Sequence, residues 1–119
     1  MIRIFTSKAQ KIGERGEEEA LVYLRAQGFR IIGRNEANKF GEIDIIAQKE
    51  GVTYFYEVKA GHSASGINPA ENLTASKIRK FLVSVQHYCL LHEVGEYKVQ
   101  GIIVRFPTSG DPGIEIIDL

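Results

Sequence analysis

Three acidic placements in this chain break the patterns around them, and together they would serve divalent-metal chemistry. Glu42 and Asp44 stand two residues apart in the Ile-rich run Glu42-Ile43-Asp44-Ile45-Ile46-Ala47. Glu57 and Lys59 close the β-branched and aromatic run that begins at Val52. Glu17 lies on the helical direction shared by Ala20, Leu21 and Leu24, at the centre of a face that should be buried. Carboxylates gathered this way repel unless a positive charge lies between them. Hard oxygen donors favour Mg²⁺ or Mn²⁺. A lysine beside them would orient a water and offset charge on a phosphorane-like transition state. Each placement also has an ordinary reading. Glu17 would suit the positive end of a frayed first helical turn. Glu42 and Asp44 would suit an exposed edge strand. Glu57 and Lys59 would suit a strand emerging into solvent as a same-face ion pair.

The elements that must position these residues follow from periodicity. A helix is expected from about Gly13 to Gln27, with Gly28 at the C′ position. Phe29 to Gly33 reads as a short strand, and Asn35 to Gly41 as turn-like. Glu42 to Ala47 and Val52 to Lys59 flank Gln48-Lys49-Glu50-Gly51 and suggest a β-hairpin. Pairing Ala47 with Val52 sets Glu42 opposite Glu57 and Asp44 opposite Phe55. A register shifted by two residues sets Asp44 opposite Glu57, and a shift of one would part the acids onto opposite faces. On this alternation Ile43, Ile45 and Ala47 share the other face. Ala60 to Asn68 reads as a loop. The next helix begins at Asn68-Pro69 or at Thr74 and runs to about Leu91, with Ile78, Phe81, Leu82, Val85 and Cys89 as its apolar stripe. Tyr97 to Phe106 and Ile114 to Ile117 complete about five strands. Helices before and after three strands imply an α/β fold with a mixed central sheet flanked by helices.

The chain has 119 residues, enough for one domain spanning 1–119 with a core of its own. One cysteine, Cys89, allows no internal disulfide and suits a reducing compartment. The apolar residues near the start (Ile2, Ile4, Phe5) are too few for a secretory signal, and no run is long enough to span a membrane, so a cytoplasmic location is expected. The formal net charge is zero, with 15 basic and 15 acidic residues, which speaks against a strongly basic nucleic-acid coat. The charges are unevenly spread: residues 1–81 carry 13 basic and 10 acidic side chains, residues 82–119 carry 2 and 5. No zinc-ligand spacing, phosphate loop or nucleophile elbow is present. His62, His87 and His92 are scattered, and Cys89 falls on the apolar stripe as a core residue would.

The string Gly41-Glu42-Ile43-Asp44-Ile45-Ile46-Ala47 followed by Glu57-Val58-Lys59 resembles the D…E-x-K signature of the restriction-endonuclease-like, PD-(D/E)XK, nucleases. With Gly16-Glu17-x-x-Ala20, Tyr23-Leu24, Gly28, Asn35, Lys77 and Tyr88 in order, the chain resembles the YraN family of small bacterial proteins, similar in pattern to Holliday-junction resolvases. The resemblance implies the restriction-endonuclease-like three-layer fold. It implies Asp44 and Glu57 as ligands of Mg²⁺ or Mn²⁺, Lys59 as the catalytic lysine and Glu17 as a helix-borne catalytic acid. Lys77 would be a phosphate contact, with Lys39 and His62 as further candidate nucleic-acid contacts. The family pattern carries arginine two residues after the lysine, where this chain has Gly61, and His62 is the nearest replacement.

The implied activity is Mg-dependent hydrolysis of DNA phosphodiester bonds, with branched or structured DNA as the candidate substrate. A homodimer would supply two cuts, joined through Tyr54, Tyr56 or the C-terminal strand. Neutral charge and the missing arginine keep a non-catalytic nucleic-acid-binding module open. A protein–protein adaptor with an acidic docking face is the third alternative.

Overall fold

The computed structural model describes residues 7–119, so the apolar cluster Ile2, Ile4 and Phe5 lies outside the described residues. The element order is helix, three strands, helix, two strands, as the periodicity predicts: α1 (Lys8–Ala26), β1 (Arg30–Asn38), β2 (Gly41–Lys49), β3 (Val52–His62), α2 (Ala75–His92), β4 (Tyr97–Phe106) and β5 (Gly113–Asp118). The five strands form one sheet in sequence order. The β3–β4 pair is parallel and the other pairs are antiparallel, so the sheet is mixed. The parallel pair requires a crossover, and α2 provides it.

The two helices cover opposite sheet faces and so give three layers. Ala20, Leu21 and Leu24 of α1 pack with Ile45, Ala47, Tyr56, Val58, Ile102, Val104 and Phe106. Phe81 and Val85 of α2 pack with Ile43, Ile46 and Phe55. Cys89 and Tyr88 border that second core.

Helix α1 begins earlier than Gly13. Ser7 caps it with a reciprocal capping box, its Oγ accepting from the Gln10 N–H. Glu17 therefore lies in the third turn, far from a frayed end. At the other end Gly28 has φ +89, and the N–H groups of Gly28 and Phe29 donate to the carbonyls of Arg25 and Leu24, a Schellman closure.

Asn35 to Asn38 belongs to β1 rather than to a turn, and the turn itself is Lys39-Phe40, where the Asn38 side chain accepts from the Phe40 N–H. The β2–β3 connection is also tighter than the predicted four-residue loop. Lys49 pairs with Val52, leaving Glu50 and Gly51 as the turn with φ +52 and +80. Two successive positive φ values are what a type I′ hairpin requires, and Gly51 supplies one without strain. This register is shifted by two from the Ala47–Val52 pairing, which the structure rules out. Both predicted starts of the second helix are used. Asn68 caps a short 3₁₀ turn, Pro69–Asn72, and Thr74 caps α2.

Helix α1 lies close against β3 at Gly16. A Cβ there would collide with the Ala60 Cβ, whereas one at Gly13 would meet nothing within 4 Å. Gly16→Val is expected to destabilise the fold by about 1–3 kcal/mol through overpacking. Gly13→Ala should stabilise it by up to about 1 kcal/mol through helix propensity alone. Urea unfolding of the two variants checks this, and equal midpoints would contradict the close approach.

Candidate active site at the β2–β3 fork

The β2–β3 ladder ends at the Ile45–Tyr56 pair, while β1 stays paired with β2 as far as Asn38–Gly41 and β4 stays with β3 as far as His62–Phe106. Each inner strand thus follows its outer neighbour, and the sheet forks. Asp44 is the first residue past the last pair. Its Oδ2 accepts a hydrogen bond of 2.8 Å from the Val58 N–H, in place of a ladder carbonyl. The next step of the same register would set Asp44 opposite Glu57. The fork also breaks the side-chain alternation expected of β2. Ile45 and Ala47 join the α1 core, whereas Ile43 joins the α2 core with Ile46. The predicted common face for Ile43 and Ile45 is therefore wrong. Freed from β3, β2 turns its residues as it leaves.

Burial and charge act on Asp44 together. Its carboxyl is pushed up from the ordinary 3.8 to about 8, first by burial and next by the Glu57 carboxylate. The Val58 N–H pulls it down, Glu17 pushes it up and Lys59 pulls it down. Glu57, Glu17 and Lys59, the remaining predicted catalytic side chains, therefore all act on the charge of Asp44 at this fork. Glu17 reaches it from α1, the other three from β2 and β3. Lys59 Nζ lies 3.1 Å from Glu57 Oε1, and both side chains are mostly shielded, at 27% and 20% exposure.

On the α2 side the fork opens into a cleft of about 280 Å³ lined by Glu42, Asp44, Glu57, Lys77, Lys80, Phe81 and Ser84. Lys77 stands at this cleft. Lys80 joins it and was missed in the sequence, although the i, i+3 spacing from Lys77 puts both on one helical face. Neither lysine forms an ion pair among the described residues. Lys39 sits in the β1–β2 turn with Nζ 5.1 Å from the Phe40 ring centroid, outside the cleft lining. That turn is tied to α2 by Asn38 Nδ2 donating to the Ser84 carbonyl at 3.1 Å and by the Phe40–His87 edge contact. His62 lies elsewhere. It is at the end of β3, beside Phe106 and the start of α1. Tyr56 is 1% exposed inside the α1 core, so it offers no surface for a partner subunit.

The donor chemistry suits a hard cation carried by few side chains. Among the described residues no group of three or more His, Cys, Asp or Glu is gathered as a ligand cluster. What the fork provides is Asp44 and Glu57. Mg²⁺ keeps several waters and binds through one or two carboxylates, which matches such a pair. Burial first and the Glu57 carboxylate next raise the Asp44 carboxyl, and a divalent cation held by the pair would offset the second of these.

In the metal-free protein this geometry sets a pH dependence. The folded chain holds the Asp44 proton up to about 8, while the unfolded chain releases it near 3.8. Between those values the folded state binds more protons than the unfolded state, so this group's contribution to stability falls as pH rises. Asp44→Asn keeps an acceptor for Val58 and removes the titration. In EDTA at pH 8 the variant is expected to melt several degrees above wild type, roughly 3–6 °C for each kcal/mol recovered. The gap should narrow toward pH 4. A gap independent of pH would count against the buried acid.

A family model described as "Uncharacterised protein family UPF0102" matches residues 16–107, a span that contains Glu17, Asp44, Glu57, Lys59 and Lys77. Among similar proteins, the UPF0102 protein of Helicobacter hepaticus is 39% identical over 94 residues, covering 78% of this chain and 83% of the relative. A UPF0102 protein of Helicobacter pylori strain G27 is 40% identical over 87 residues, covering 73% and 74%. That of Persephonella marina is 37% identical over 97 residues, covering 82% and 84%. On both the family match and these relatives, the chain belongs to the UPF0102 family, the YraN group that its motifs resemble.

Proposed function

We propose that the protein is a metal-dependent phosphodiesterase acting on DNA, with branched or structured DNA as its preferred substrate. The observation that carries this reading is the fork. A half-buried Asp44 is held there by a backbone N–H, and Glu57, Glu17 and Lys59 all bear on its charge. A purely structural hairpin gains nothing from placing further acids where they push up the Asp44 carboxyl.

In this reading Asp44 and Glu57 would hold Mg²⁺ or Mn²⁺, which when bound supplies Lewis acidity and a more acidic water. The remaining roles belong to the chain. The Val58 N–H fixes the Asp44 rotamer, so one carboxylate oxygen stays directed at the cleft. Lys59 holds the attacking water and offsets charge that develops on the phosphoryl oxygens. Its contact with Glu57 keeps the ammonium from swinging away. Glu17 adds negative charge from the α1 side. Lys77 and Lys80 flank the opening and draw the phosphate backbone toward it. Burial on both faces strengthens each of these interactions. The protein would work in the cytoplasm, and a homodimer would bring two clefts to two strands.

A second reading, a binding module with little or no catalysis, is favoured by two observations. Gly61 stands where the family pattern has arginine, and the chain as a whole carries no net charge.

Purified protein incubated with labelled four-way junction and Mg²⁺ is expected to yield nicked product, and none with EDTA. Lys59→Ala and Asp44→Ala should each lower the rate by about 10²–10³-fold, the usual cost of removing a transition-state contact of this type. DNA binding that weakens with salt, without any metal-dependent product, would establish the binding module instead.

A further inference from the structure

A second, larger cleft remains unused by this reading. It measures about 470 Å³ and lies where the start of α1 meets the end of β3. Its walls are mainly apolar, with Ile12, Ile67 and Pro69 prominent, and Lys8, Lys11 and Arg15 line its α1 side. Among the described residues none of these three cations forms an ion pair. The Arg15 guanidinium lies 4.4 Å from the centroid of the Phe106 ring, and the His62 ring is 6.0 Å from the same ring. Gly61, His62, Ile67 and Pro69 also line a further depression of about 280 Å³ that extends to Arg105. The two hollows share these four residues and so adjoin as one trough, with the His62 ring and the Arg15 guanidinium in its lining and Lys8 and Lys11 along its α1 side.

This combination fits a ring with an apolar face that carries an anion. Nucleic-acid strands present such units when their bases are unpaired. Aromatic rings and guanidinium planes stack on the base, and the flanking cations follow the phosphates. Paired bases inside a duplex cannot enter a trough of this kind. The position is also apt. Glu57 lines the catalytic cleft and Ala60, Gly61 and His62 line the trough, about 10 Å further along the same strand.

We propose that the trough between α1 and the end of β3 holds unpaired nucleotides of the DNA strand whose phosphodiester reaches the Asp44–Glu57 cleft. The protein then selects DNA with a single-stranded tail or flap over continuous duplex. This inference rests on the nuclease reading for its choice of ligand. It assigns a role to His62 and Arg15 that the cleft at the fork does not give them.

Binding is measured with the Asp44→Asn protein, so that cleavage does not interfere. The probes are a labelled blunt duplex and the same duplex with a short thymidine tail, compared at one fixed salt concentration. The tailed probe is expected to bind about tenfold more tightly, from stacking of its first bases. Arg15→Ala should bring the two affinities together. Ile67→Glu should do the same, and because Ile67 is 64% exposed this change tests the trough without threatening the fold. Equal affinity for the two probes, or a preference that survives both substitutions, overturns the inference. Loss of the tail's advantage on adding low concentrations of thymidine monophosphate also overturns it, by assigning the trough to free nucleotides. Cleavage by wild type without tail preference sinks only the trough. Tail preference without cleavage sinks the nuclease reading and leaves the trough standing as a DNA-binding site.

Discussion

The hydrogen bond from the Val58 N–H to the Asp44 carboxylate, 2.8 Å long, is the contact on which the rest of the arrangement depends. A five-stranded sheet that opens between its second and third strands exposes backbone groups that the ladder would have satisfied. A buried N–H left without a partner costs about 1–3 kcal/mol. Asp44 closes that account with its side chain. The sheet can therefore fork without a backbone penalty at Val58, and the acid is fixed at the point of the fork. The same bond that permits the opening thus aims the group placed in it.

The fork is held open from both sides. The α1 core draws Ile45 and Ala47 to one face, and the α2 core draws Ile43 and Ile46 to the other. Gly16 lets α1 rest directly on Ala60, and this close approach delivers the next residue, Glu17, to the neighbourhood of Asp44. From the other layer, the N-terminal half of α2 places Lys77 and Lys80 on the rim. A chain with no net charge thus concentrates acids at one half-buried point and sets cations at its edge. Electrostatic effects on a phosphate are decided by this local arrangement, since the Debye length is only about 8–10 Å at ordinary salt.

Much of the scaffold was legible in the residue pattern. The order of elements, the five strands, Gly28 as the helix stop, and both Asn68 and Thr74 as caps all follow from local rules of capping and periodicity, which act within a few residues. The errors arose where local rules meet competing neighbours. Asn35 to Gly41 contains turn-forming residues, yet pairing with β2 draws Asn35 to Asn38 into a strand. Ser7 starts α1 ahead of Gly13 because its capping box opens the run Lys8-Ala9-Gln10-Lys11, whose residues favour helix. Glu50 adopts a positive φ that its type disfavours, because the two-residue hairpin demands it.

Sequence by itself determined which chemistry was available: two acids spaced on β2, an acid and a lysine spaced on β3, and an acid on the buried side of α1. Those are properties of residue type and period, and no folding can add them. Tertiary structure decided whether they meet. Hairpin register is degenerate in shifts of two, because every such shift preserves the same faces. The two-residue turn at Glu50-Gly51 is the one that aligns Asp44 with Glu57. Nor does any local rule say where a sheet will part. That point is set only in the folded sheet, where β2 past Ile45 stays with β1 and turns Ile43 to the α2 core while β3 stays with β4, and it leaves Asp44 half-buried beside Glu57.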